Sequence, residues 1–100
     1  MYDRNYKGLV WTNHALSRMR ERGISQGDAW ATWRNPQQSR KGQGGSWVYY
    51  RTYSNQKIEV VAKQNEKHQW VILSVWSRRV PSDKKAESFF SFLIRKLFKS

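Results

Sequence analysis

Three β-rich runs separated by very short connections fill the middle of this 100-residue chain, and connections that short permit only antiparallel neighbours. The runs are Ser46 to Tyr53, Lys57 to Lys63 and Trp70 to Arg78. Ser54-Asn55-Gln56 reads as the first turn and Asn65-Glu66-Lys67-His68-Gln69 as the second, and Pro81 closes the meander. Successive side chains of a strand point to opposite faces. Ile58, Val60 and Ala62 therefore define one face, with Val48, Tyr50 and Thr52 and with Val71, Leu73, Val75 and Ser77 expected beside them. The other face is left to Trp47, Tyr49, Arg51, Tyr53, Lys57, Glu59, Val61, Lys63, Trp70, Ile72, Ser74 and Trp76. A sheet face mixing Trp, Tyr, Arg and Lys is suited to RNA.

Two helices are expected before the sheet. Thr12 or Asn13 can cap the first, and Gly23 suits its end near Arg22. Ser25, with Asp28 three residues on, resembles a capping box that opens a second helix through Ala29, Trp30 and Trp33, which Pro36 ends. Residues 36–45 are polar and glycine-rich, carry Arg40 and Lys41, and read as a flexible basic loop. Residues 1–10 read as a lead-in, a short strand or an extended arm. After Pro81, Phe89, Phe90, Leu93, Ile94, Leu97 and Phe98 form one broad apolar stripe flanked by Lys84, Lys85, Arg95, Lys96 and Lys99. A C-terminal amphipathic helix over 82–100 is therefore expected. Docking on the domain or on a second copy comes before a membrane surface as its use.

Nineteen Lys and Arg against seven Asp and Glu give a net charge of +12. The cations run along the whole chain, which favours a basic folded surface with nucleic acid as its partner. No cysteine is present, which excludes disulfides and thiolate metal sites. Neither a signal peptide nor an apolar span of the roughly 18 residues a crossing helix needs is evident, so a reduced, cytoplasmic, soluble protein is the expectation. The two histidines and seven carboxylates show no metal-ligand spacing, and no metal or cofactor is expected.

His14, Arg18 and Arg22 recur every four residues, so they share one stripe of the first helix beside the apolar Ala15, Leu16 and Met19. Histidine ordinarily titrates near neutral pH, and guanidinium forks grip phosphate. The stripe thus suits cleaving or gripping a phosphate. The alternative is a surface network, in which the arginines pair with Glu21, Asp28 or Glu59.

The segment His14-Ala15-x-x-Arg18-Met19-x-x-Arg22-Gly23-Ile24-Ser25 resembles the signature of a small uncharacterised domain family. In that family a His-Ala-x-x-Arg-x-x-x-Arg-Gly-Ile-Ser helix precedes a second helix ending near Asn-Pro, as at Asn35-Pro36, and a loop and an antiparallel sheet follow. The resemblance runs from Thr12 to about Val80 and leaves the C-terminal segment outside it. The family is grouped with RelE-like and BrnT-like toxins and related small ribonucleases. The resemblance implies metal-independent endoribonuclease activity, with RNA and, in toxin use, an antitoxin protein as partners. His14 would then be an acid or base, and Arg18 and Arg22 phosphate clamps. Tyr50, Tyr53, Ser74, His68 and Lys41 are open candidates for the second acid–base group. Nucleic-acid contacts are expected from Arg20, Arg40, Lys41, Arg51, Lys57, Lys63, Trp47 and Tyr53.

The expected architecture is an α+β domain over 1–81, RelE-like or barnase-like. Two N-terminal helices pack on a three- to four-stranded antiparallel sheet, with the C-terminal amphipathic helix appended. A non-catalytic nucleic-acid module and a partner-binding protein, self-associating through that helix, are the other functions the same scaffold would serve.

Overall fold

The computed structural model of the protein describes residues 2–80. The helix expected over 82–100 lies outside the described residues. Within them, strands β1 (Val10–Trp11), β2 (Gln38–Lys41), β3 (Trp47–Tyr53), β4 (Gln56–Gln64) and β5 (Trp70–Arg79) form one sheet in the order β1-β5-β4-β3-β2. Helices α1 (Asn13–Arg22) and α2 (Gln26–Arg34) pack against one of its faces.

Both helices start and stop where local chemistry directs. The Thr12 hydroxyl accepts from the Ala15 N–H, and Gly23 ends α1 in the left-handed region at φ 65°. The Ser25 hydroxyl accepts from the Asp28 N–H at 3.0 Å. These caps satisfy donors that the first helical turn leaves without partners. The lead-in straps the junction of the two helices. Asp3 and Gln26 exchange two hydrogen bonds of 2.7 Å, and the Tyr2 hydroxyl donates to the Ile24 carbonyl at 2.6 Å.

The sheet corrects the expected architecture. It is α+β, but five-stranded and mixed, not a three- to four-stranded antiparallel sheet. β1 runs parallel to β5, pairing Val10 with Val71 and Trp11 with Ile72. β2 lies within the stretch read as a loop and pairs antiparallel with β3, Arg40 opposite Val48 and Lys41 opposite Trp47. Its Gln-Ser-Arg-Lys sequence is exposed at every position, so no hydrophobic alternation announces it. Backbone pairing with β3 holds it, helped by Arg40 Nε donating to the Tyr50 hydroxyl, and its charges blunt a sheet edge.

The faces also differ from expectation, and turn length is the reason. The β3–β4 turn contains two residues, Ser54 and Asn55, so Tyr53 pairs with Gln56 and not with Lys57. A one-residue change of register sends every side chain to the other face. Trp47, Tyr49, Arg51 and Tyr53 consequently share the helix side with Ala62, Val60, Ile58 and Gln56, while Val48, Tyr50 and Thr52 join Val61, Glu59 and Lys57 on the open side. β5 carries a second shift. Ala62 pairs with Ile72 but Val61 with Ser74, leaving Leu73 as the extra residue of a bulge. Trp70, Ile72, Val75 and Ser77 therefore face the helices, and Val71, Ser74, Trp76 and Arg78 face outward. Thr12 holds the bulge, its hydroxyl donating to the Leu73 carbonyl at 3.0 Å and its N–H to the Ile72 carbonyl at 3.2 Å.

The core lies between helices and sheet. Ala15, Met19, Ala29, Val60, Ala62, Ile72 and Val75 are fully enclosed, with Trp11, Leu16, Ile24 and Ile58 beside them. Trp70 bridges Trp33 and Tyr49 edge-on at centroid distances of 5.8 and 6.4 Å. Burial raises the Tyr49 phenol above the ordinary tyrosine range.

Candidate nucleic-acid interface

The open face of the sheet is covered by neither helix. Its centre is a transverse row, Gln38 on β2, Tyr50 on β3, Glu59 on β4 and Trp76 on β5. Thr52, Lys57 and Arg78 form the adjacent row on one side, and Arg40, Val48, Val61 and Ser74 the row on the other. Tyr50 gathers two cations. Arg40 Nε donates to its hydroxyl at 2.6 Å, and Lys57 Nζ stands 4.7 Å from its ring centre. Such contacts orient the cations without neutralising them.

Helix α1 brings further cations to the same face along the β5 edge. It runs beside β5 from Thr12 at Leu73 to Arg22 at Ser77, whose carbonyl accepts from Arg22 Nη1 at 3.0 Å. β1 covers only Val71 and Ile72, so this stretch of β5 has no strand partner on that side. Arg22 packs against Trp76, its guanidinium carbon 3.2 Å from the ring centre, and Arg18 approaches the same ring at 5.5 Å. Trp76 remains 36% exposed. An indole backed by guanidinium groups and open to water is a surface on which a base can stack.

Electrostatics on this side are lopsided. Among the described residues the one ion pair is Arg18–Glu21 at 2.9 Å, between half-exposed side chains. Arg40, Lys57, Lys63 and Arg78 carry no acid partner there. Lys63 and Lys67 also border a shallow hollow of about 570 Å³ at the β4–β5 turn, floored by Val71 and Leu73. No group of three or more His, Asp or Glu side chains is gathered as a metal would require, among the described residues.

The residues expected from sequence separate into three sets. Tyr50, Ser74, Arg40, Lys57 and Lys63 share the open face, and Arg18 and Arg22 border it at Trp76. His14 and Arg20 are exposed on α1, and His68 is exposed in the β4–β5 turn. Trp47, Lys41, Arg51 and Tyr53 are on the helix side, contrary to expectation. Arg51 Nη1 donates to the Asn35 carbonyl at 2.6 Å and the Tyr53 hydroxyl to the Asp28 carbonyl at 3.3 Å, so both tie β3 to α2. Trp47 stays 37% exposed on that side, with Lys41 Nζ 6.0 Å from its ring. Strand alternation places Trp76 and Glu59 on the basic face, offers Glu59 only as a pairing partner for Arg18 or Arg22, gives Trp76 no separate task and leaves Arg78 unassigned. A two-residue turn, read as such, would have set Glu59 beside Tyr50.

The DUF4258 family, described as a domain of unknown function, matches residues 11–77. That stretch contains both helices and reaches from β1 to Ser77 on β5. No curated protein and no solved structure matches the chain. No helix among the described residues is long and apolar enough to cross a membrane.

Proposed function

The chain belongs to the DUF4258 family, a domain of unknown function, and we propose that it is a small RNA-binding protein with metal-independent endoribonuclease activity. One observation carries the binding: the open face sets Tyr50 and Trp76 among Arg40, Lys57, Arg78 and Arg22, and no acid pairs with these cations among the described residues. Phosphates would neutralise the cations while single-stranded bases stack on the aromatic rings. An open sheet face suits unpaired bases better than a duplex, whose bases are stacked and paired. The toxin-like resemblance of the α1 signature supports cleavage as the use of that binding, with an antitoxin protein as a further partner.

A salt titration of RNA affinity tests the binding. The logarithm of the association constant falls linearly with the logarithm of salt, with a slope of about −0.7 per phosphate contacted on a single strand. A flat response contradicts the proposal.

A further inference from the structure

A basic sheet face built to hold phosphates carries one carboxylate near its centre. Glu59 stands in register between Tyr50 and Trp76, with Lys57 two residues away on its own strand and Arg78 diagonal to it on β5. It forms no ion pair among the described residues. A negative charge there opposes the approach of a polyanion. Binding alone gives no reason for it, whereas proton transfer does. Cleavage through the ribose 2′-hydroxyl needs a base within reach of that hydroxyl and cations around the phosphorus.

Tyr50 is the matching acid. It lies directly opposite Glu59, at the roughly 5 Å spacing of cross-strand neighbours. Arg40 Nε already donates to its hydroxyl oxygen at 2.6 Å, so a phenolate formed there has a cation in place. We propose that Glu59 and Tyr50 are the acid–base pair of RNA cleavage on the open face, an inference that rests on the RNA-binding reading.

Glu59 takes the proton of the 2′-hydroxyl, and the 2′-oxygen forms a bond to the adjacent phosphorus. The bond from phosphorus to the 5′-oxygen breaks, and that oxygen takes the Tyr50 proton. The products are a 2′,3′-cyclic phosphate and a 5′-hydroxyl. The proton held on Glu59 returns through water to the Tyr50 phenolate, restoring both groups. Arg40 and Lys57 face the charge that develops on the phosphorane oxygens.

The test measures affinity and cleavage separately, on poly(U), poly(A), poly(C) and a transfer RNA, with EDTA present. Wild type binds and cleaves, leaving cyclic phosphate ends. Glu59→Gln binds as tightly or more tightly and cleaves about 10²- to 10⁴-fold more slowly. Tyr50→Phe binds and also cleaves more slowly, and Glu59→Asp, with the carboxylate restored on a shorter stem, recovers part of the rate. Cleavage by Glu59→Gln at the wild-type rate overturns the assignment, as does a wild type that binds these RNAs and cuts none. Absence of binding by wild type overturns the RNA reading itself, and the affinity measurement identifies that failure separately.

Discussion

The two faces of the sheet are made from the same strands but obey different constraints. On the helix side, Val60, Ala62, Ile72 and Val75 are fully enclosed, and even Arg51 and Tyr53 there hold backbone carbonyls of α2 and its end. On the open side, Val48 alone among the β3–β5 side chains is buried, and the polar groups are held chiefly by rings and neighbours: Arg40 on Tyr50, Lys57 over the same ring, Arg22 on Trp76. Burial selects the first set of side chains and leaves the second free to answer to a ligand. A cation on this domain therefore acquires its meaning from the face it occupies. Arg51 and Lys57 sit on neighbouring strands, yet the first fastens β3 to the end of α2 and the second stands over the Tyr50 ring on the open face.

Substitutions on the two faces should accordingly separate stability from affinity. The largest effect is expected from Trp11→Ala, which empties a core site that is 2% exposed, cuts its Nε1–H bond to the Tyr6 carbonyl and should cost about 3–5 kcal/mol in urea unfolding. Trp76→Ala is its counterpart on the open side. It should weaken binding of single-stranded RNA by about 1–3 kcal/mol, while urea unfolding shifts by less than the Trp11 variant. A Trp76 variant that unfolds the domain but binds normally when folded would break the contrast.

How much of this was legible in sequence depended on how local each signal is. The caps at Thr12 and Ser25 and the stop at Gly23 act within one helical turn, so both helices were readable. The assignment of faces was not, because it depended on whether Gln56 belongs to a turn or to a strand, and one residue decides the orientation of all of β3. The bulge at Leu73 was hidden for a related reason, since its holder, Thr12, is distant in sequence. β2 left no pattern because all four of its residues are exposed and polar. In the candidate site the signature arginines were found through helical periodicity. Their partner Trp76 was assigned no role because the contact crosses from helix to strand.

Two smaller effects sharpen the account of the helix side. Gly23 occupies the left-handed region with nothing within 4 Å of an added Cβ, so Gly23→Ala costs only backbone strain, about 1–2 kcal/mol in a thermal melt, and leaves RNA affinity unchanged. Tyr49 provides a pH test. Its folded phenol holds its proton above the ordinary tyrosine range because it is buried. The unfolded chain releases that proton first, so the contribution is lost as pH rises past the ordinary tyrosine pKa of about 10, and stability falls with it. Tyr49→Phe should flatten that alkaline slope in unfolding measured from about pH 9 to 11, leaving neutral pH little changed.

If RNA lies on the open face, paired substitutions of cations on the two faces should differ in their effect on binding. Arg40→Ala with Lys57→Ala removes two cations from that face, and Lys7→Ala with Arg34→Ala removes two from the helix side, where Lys7 stands 5.3 Å over Trp30 of α2. The measurement is the salt dependence of RNA affinity for both double variants and wild type. The open-face pair should make the slope shallower by the equivalent of about two phosphate contacts, and the helix-side pair should leave it at the wild-type value. Equal slopes for the two double variants, or the larger loss on the helix side, would contradict the account.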